Sequence, residues 1–307
     1  MSAQPQPLPE PAHPRRSELR SWVQAVRPRT LTASIVPVLI GSAVANLEGA
    51  FVPGVLLACI AAALLLQISA NLINDAVDFL TGIDTQMRLG PERVTQAGLL
   101  PAARVLWAAG LATALALCTG SYLVWLGGIP ILVIGISAAL AAAAYSTGPF
   151  PLASHGLGEL AAFVFFGAIA VTGTAYLHSG SWSLLALVSS LPVAALISNL
   201  MLVNNLRDIE SDQATGKRTL AVRLGARATR ALYLALLALA YASPLLLWAL
   251  EPARLAFFLP WLSVPLALAV AREVQRASES EAFGRALIGT ARLHAVYGAL
   301  LAVALLL

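Results

Sequence analysis

The sequence predicts an all-α polytopic membrane protein with about nine transmembrane helices. Three observations carry that prediction. The chain of 307 residues is 59% hydrophobic and only 11% charged, with a mean hydropathy of +0.80. A soluble domain of this length needs far more charge to cover its surface. The apolar residues fall in runs long enough to cross a bilayer, which takes roughly 20 residues each. The basic residues gather on alternate connections between those runs, as the positive-inside rule requires.

The elements follow in order. Residues 1–20, rich in proline and arginine at the start, are expected to be a disordered cytoplasmic tail, and 21–307 a single transmembrane domain. Spans are expected near 31–47, 53–74, 103–125, 127–146, 158–177, 182–204, 229–250, 255–271 and 287–307. Proline and glycine within several of them are tolerated where neighbouring helices satisfy the freed backbone groups. With nine spans, the basic groups around Arg27, Arg88, Arg218 and Arg276 all fall on one side, whereas the opposite connections carry only Arg254. That places the N-terminus in the cytoplasm and the C-terminus outside a cell inner or plasma membrane. The pI of 9.4 therefore reflects topology, and no nucleic-acid partner is expected. Cys59 and Cys118 lie in apolar runs and read as small buried residues, neither a disulfide nor a metal pair.

An internal echo points to two pseudo-repeated four-helix units. Asn71, Asn74, Asp75 and Asp78 end the second span; Asn204, Asp208 and Asp212 end the sixth, four spans later. Asn71, Asp75 and Asp78 sit at i, i+4 and i+7, on one helical face, and Asn204, Asp208 and Asp212 at i, i+4 and i+8. A carboxylate at a membrane-helix centre costs roughly 2.5–3.5 kcal/mol. Two such faces turned toward each other bring four carboxylates together, and these repel unless cations intervene. Mg²⁺ is the natural partner, held by a few carboxylates together with substrate phosphates. The following loops supply Arg88 and Arg93, then Lys217 and Arg218. Acids, metal and flanking bases suit a diphosphate.

These strings are also recognisable. Asn74-Asp75-x-x-Asp78 with Asp208-x-x-x-Asp212 resembles the UbiA superfamily of intramembrane aromatic prenyltransferases. The longer strings around Arg88–Gln96, Asn204–Asp212 and Gly216–Gly225 resemble its 1,4-dihydroxy-2-naphthoate polyprenyltransferase branch. The resemblance runs from about residue 22 to the C-terminus. It implies helices around a central cavity, with Asn71, Asn74, Asp75, Asp78, Asn204, Asp208 and Asp212 binding Mg²⁺ and the four aspartates serving catalysis. It also implies a polyprenyl diphosphate donor held by Arg88, Arg93, Lys217 and Arg218, and 1,4-dihydroxy-2-naphthoate as acceptor. Many relatives place a third Asp four residues after the second; here Asp84 stands further on, so it is not counted as a ligand.

Gln67, Gln96, Tyr145 and His155 are candidates for the aromatic pocket. Three of them also have a plain structural alternative, a helix–helix hydrogen bond for Gln67 and an interfacial Gly/Pro turn for Tyr145 and His155. The tryptophans near span ends read as interface anchors. A secondary transporter is the rival from another class, but its ionisable groups belong near the midplane. Transferases of nucleotide-activated alcohols carry an Asp-Gly-x-x-Ala-Arg string that this chain lacks. A sister prenyltransferase with another acceptor, such as 4-hydroxybenzoate, or a phytyl donor is separated only by the loop strings.

Overall fold

Caps and breakers set the first elements. The computed structural model describes residues 17–80, 93–146 and 150–307, and among the described residues the regular structure is all helical. Ser17 opens helix α1 (Glu18–Val26), its Oγ accepting from the Arg20 amide at 3.4 Å. A side-chain oxygen here satisfies one of the amides that a helix start leaves over. Helix thus begins within the stretch assigned to the tail, whose residues 1–16 lie outside the described part. Arg27 ends α1 in the left-handed conformation (φ 54°, ψ 69°), and Pro28, with no amide to satisfy, begins α2 (Pro28–Leu47).

The remaining helices are α3 (Pro53–Leu80), α4 (Ala102–Ser146), α5 (Gly158–Ser179), α6 (Leu184–Arg207), α7 (Ile209–Ala214), α8 (Leu220–Leu250), α9 (Leu255–Arg276) and α10 (Ser280–Leu306). Among the described residues, seven helices are long and apolar enough to cross a bilayer, or eight if the bent α1–α2 pair counts as one span. This is a multi-pass membrane protein.

The count differs from nine because α4 joins two expected spans. Straight, its 45 residues would reach about 68 Å, roughly twice the bilayer core. Gly128 breaks it with φ 66° and ψ −152°, a conformation open to glycine. The two halves run in opposite directions. Val105 and Ala109 pack beside Leu72 and Ala76 near the end of α3, whereas Leu123 and Ile131 pack beside Val55 and Cys59 near its start. Past the break the chain returns along α5, with Gly127 against Leu177, Ile134 against Gly173 and Tyr145 against Gly158.

At the centre is α6, with 72% of its most apolar window buried, against 11% for α4. A helix apolar on all sides belongs in the interior, and α2, α5, α8 and α10 pack around it. The ends of α3 and α6 share one face of the molecule. α2 starts beside the end of α3, where Asn71 Nδ2 donates to the Val26 carbonyl at 2.8 Å. It ends at the far face, where Ser183, the N-cap of α6, donates to Glu48 Oε1 at 2.5 Å. α6 therefore starts at the far face and finishes where α3 finishes.

Gly167, in the π-helical stretch Phe163–Ile169 of α5, lies directly on Ala194 of α6, with no room for a Cβ. Small residues allow membrane helices this close approach. Gly167→Ala should cost about 1–3 kcal/mol and lower the thermal unfolding temperature in detergent. Gly135→Ala, at a site with no neighbour near the added methyl, should leave that temperature unchanged.

Candidate active site at the shared helix end

The polar residues that close α3 are engaged by protein partners. Ser34 of α2 donates to Gln67 Oε1 at 3.0 Å, and Gln67 Nε2 lies 3.4 Å from Asn71 Oδ1. With the Asn71–Val26 bond, this chain ties α1, α2 and α3 together. The helix–helix alternative for Gln67 is thus realised here. Interhelical hydrogen bonds of this kind are worth about 0.6–2 kcal/mol in lipid.

Asp75, 2% exposed, does similar work on the chain that re-enters at residue 93. Its Oδ1 accepts from the Thr95 amide at 3.0 Å and the Thr95 hydroxyl at 2.5 Å, and its Oδ2 from the Val94 amide at 3.2 Å. Arg93, also buried, donates to the carbonyl of Asn74. The Asn74 side chain itself is exposed. Asp78 lies on α3 one turn beyond Asn74, its side chain outside the described residues, as are Arg88 and the whole of 81–92. Gln96 is half-buried in the turn that follows Thr95.

At the end of α6, Arg207 grips two expected ligands. Its Nε and Nη2 reach Asp208 Oδ1 and Oδ2 at 2.7 and 2.8 Å, and Nη2 reaches Asn204 Oδ1 at 2.9 Å. A two-pronged guanidinium–carboxylate pair of this geometry is among the stronger polar contacts. Asp212, buried on α7, has Lys217 Nζ 3.8 Å away. Burial pushes its carboxyl above the usual range, Lys217 pulls it back, and Asp208 adds to the rise. Arg218 is exposed and donates its amide to the Ser154 carbonyl at 3.1 Å, joining the loop after α7 to the turn before α5. In that turn His155 donates through Nδ1 to the Pro151 carbonyl at 2.8 Å and stacks on Phe150, ring centres 3.8 Å apart.

Both acidic clusters thus lie at one face. Among the described residues, no three Asp, Glu, His or Cys side chains gather closely enough to hold one metal ion. The donor chemistry nevertheless fits a hard divalent cation, since every candidate ligand offers oxygen. Asn204 and Asp208 already converge on one cation, the Arg207 guanidinium. Sequence reasoning missed the partners that Arg207 and Thr95 provide. Arg207 is legible in the sequence as a base beside an acid at a helix end, within the Asn204–Asp212 string. Thr95 left no signal, because its role depends on how 93–98 folds back on α3.

The family match gives the class, an intramembrane prenyltransferase. Residues 34–303 match the UbiA prenyltransferase family, and the chain belongs to that family. It is 35% identical over 232 residues to the 1,4-dihydroxy-2-naphthoate octaprenyltransferase of Haemophilus influenzae, which covers 73% of this chain and 75% of that one. Its fold is similar to a UbiA homolog from Aeropyrum pernix K1, with a TM-score of 0.68 at 16% identity over 90% of this chain and 98% of that one. It is also similar to the Archaeoglobus fulgidus homolog bound to DMAPP and Mg²⁺, with a TM-score of 0.56 at 13% identity over 92% and 99%.

The hold of Asp75 on Val94 and Thr95 can be read by proteolysis. Hydrogen bonds to a charged group are worth about 1.5–3 kcal/mol. Asp75→Ala should therefore speed trypsin cleavage after the buried Arg93 by roughly tenfold or more, as measured by mass spectrometry on detergent-solubilised protein. Thr95→Val, which removes only the hydroxyl bonds, should give a smaller increase.

Proposed function

We propose that this chain transfers a polyprenyl group from a polyprenyl diphosphate to 1,4-dihydroxy-2-naphthoate, releasing diphosphate and CO₂ and giving demethylmenaquinol. The observation that carries this reading is that α3 and α6, each ending in an aspartate motif, end at one face of a prenyltransferase fold. The name of the Haemophilus influenzae relative supports the choice of acceptor. We further propose one catalytic domain over 21–307, seated in the cell inner membrane with that face toward the cytoplasm. Arg207, Lys217, Arg218, Arg223 and Arg230 stand near it, as positive-inside asymmetry requires.

Asn74, Asp78, Asn204, Asp208 and Asp212 would hold Mg²⁺, with Asn71 and Asp75 completing the polar end of α3. Bound Mg²⁺ supplies charge neutralisation to the leaving diphosphate as the allylic C–O bond ionises. Arg88, Arg93, Lys217 and Arg218 add fixed positive charge around the same oxygens, which stabilises charge developing in the transition state. The apolar helices keep water from the allylic cation. The electron-rich ring then attacks, and loss of its carboxylate restores aromaticity without a strong base. Tyr145, His155 and Gln96 are proposed for the acceptor side.

Asp78→Ala and Asp208→Ala should each lower turnover by about a hundredfold or more while the protein remains folded in the membrane. EDTA should stop the reaction and Mg²⁺ restore it. With carboxyl-labelled naphthoate, the label should leave as CO₂; label retained in the prenylated product contradicts the assignment of this acceptor chemistry.

A further inference from the structure

Glu159 is a carboxylate that the reaction described above leaves unused. It stands in the first turn of α5 and is 4% exposed. An acid at a helix start is favoured by the helix dipole, but that does not explain burying one in a membrane bundle, where ionisable groups are costly and mark functional positions. Its two oxygens are treated differently. Oε1 accepts from Asn205 Nδ2 of α6 at 2.7 Å, while Oε2 is buried and accepts from no described group. The side chain is held at one oxygen and offers the other.

What surrounds Glu159 narrows what could use Oε2. Asn205 adjoins Asn204 and lies three residues before Asp208, so Glu159 is one hydrogen bond removed from the proposed diphosphate site. The Tyr145 hydroxyl lies against Gly158, the preceding residue, at 3.3 Å from where a Cβ would stand. Of the reacting groups, the prenyl tail has no donor. The diphosphate and the acceptor's carboxylate are anionic and are repelled by a carboxylate. The ring hydroxyls of the acceptor are the donors that remain.

We infer that Glu159 is a catalytic residue for the aromatic acceptor, with Oε2 accepting a hydrogen bond from a ring hydroxyl. That bond fixes the ring beside the allylic carbon and raises its electron density. The inference rests on the prenyl-transfer reading of the site.

Glu159→Gln tests it with little change of shape. The Gln carbonyl still accepts from Asn205, but an NH₂ group stands where Oε2 was. With a charged hydrogen bond lost, kcat/KM for dihydroxynaphthoate should fall roughly 10- to 150-fold. KM for the prenyl diphosphate should stay within about twofold and the unfolding temperature in detergent should not change. On the substrate side, wild type should prefer dihydroxynaphthoate to one of its monomethyl ethers by about tenfold or more, and Glu159→Gln should lose that preference. A Glu159→Gln enzyme with acceptor kinetics within about threefold of wild type overturns the proposal, leaving Glu159 as a packing bridge. Equal loss toward both substrates together with a lowered unfolding temperature overturns it as well. A wild-type protein that prenylates no hydroxyarene removes the functional reading first, and this inference with it.

Discussion

A carboxylate beside lipid must be neutralised or hydrogen-bonded where it stands, and that constraint organises the polar face of this bundle. Four buried or half-buried acids there each have their own solution. Asp75 takes two backbone amides and a hydroxyl. Asp208 takes both prongs of Arg207. Asp212 takes Lys217 at longer range. Glu159 takes one amide of Asn205 and keeps an oxygen in reserve. These bonds also place the connecting chain. The 93–95 segment is pinned to α3, and the link after α7 is drawn under α7 by the Lys217 amide on the Asp212 carbonyl.

The far face meets the same constraint with a neutral group. His178, near the end of α5, accepts the Val52 amide at Nδ1 over 3.0 Å. With Nδ1 accepting, the ring proton sits on Nε2 and is donated to Ser42 Oγ at 2.9 Å. One uncharged ring thereby satisfies α2 and the turn before α3, stacked on Phe51. Charge is thus concentrated at the face where α3 and α6 end, and the opposite connections are held by neutral bonds and the Ser183–Glu48 contact. The topology rule and the chemistry of the site call for bases at the same end, so one set of residues serves both.

Much of this was legible in the sequence because lipid enforces it. Apolar length gave the helices and put the two acidic strings at the ends of α3 and α6, but the helix breaks at Asp208, so Asn204, Asp208 and Asp212 do not continue one helical face as their spacing predicts. Gly128 illustrates where that reading stops. Two apolar runs either side of a Gly-Gly-x-Pro stretch look the same whether the chain loops out or folds back through one bent helix, and only packing against α3 and α5 distinguishes them. The contacts of Asn71 and Asp75 were hidden for a related reason. A polar side chain at a helix end is equally suited to a cation or to another segment's amides, and the sequence does not record which segment returns to meet it. For Asp75 that segment lies about twenty residues downstream. For Glu159 it is the end of α6, reached after the rest of α5 and the whole length of α6.

The two arms of the site consequently differ in how freely they can take a new partner. Asp208 and Asp212 are neutralised by side chains, and a guanidinium or ammonium on a flexible stem can swing to a diphosphate with only rotamer changes. Lys217 is half-exposed and 3.8 Å from Asp212, so that pair is loose already. Asp75 is held by backbone amides, which cannot turn away unless residues 93–95 move. Among the described polar side chains at the end of α3, Asn74 is exposed at the surface of the helix. The α6–α7 pairs can therefore exchange partners by side-chain rotation alone, whereas the contacts at the end of α3 change only with movement of the backbone at 93–95.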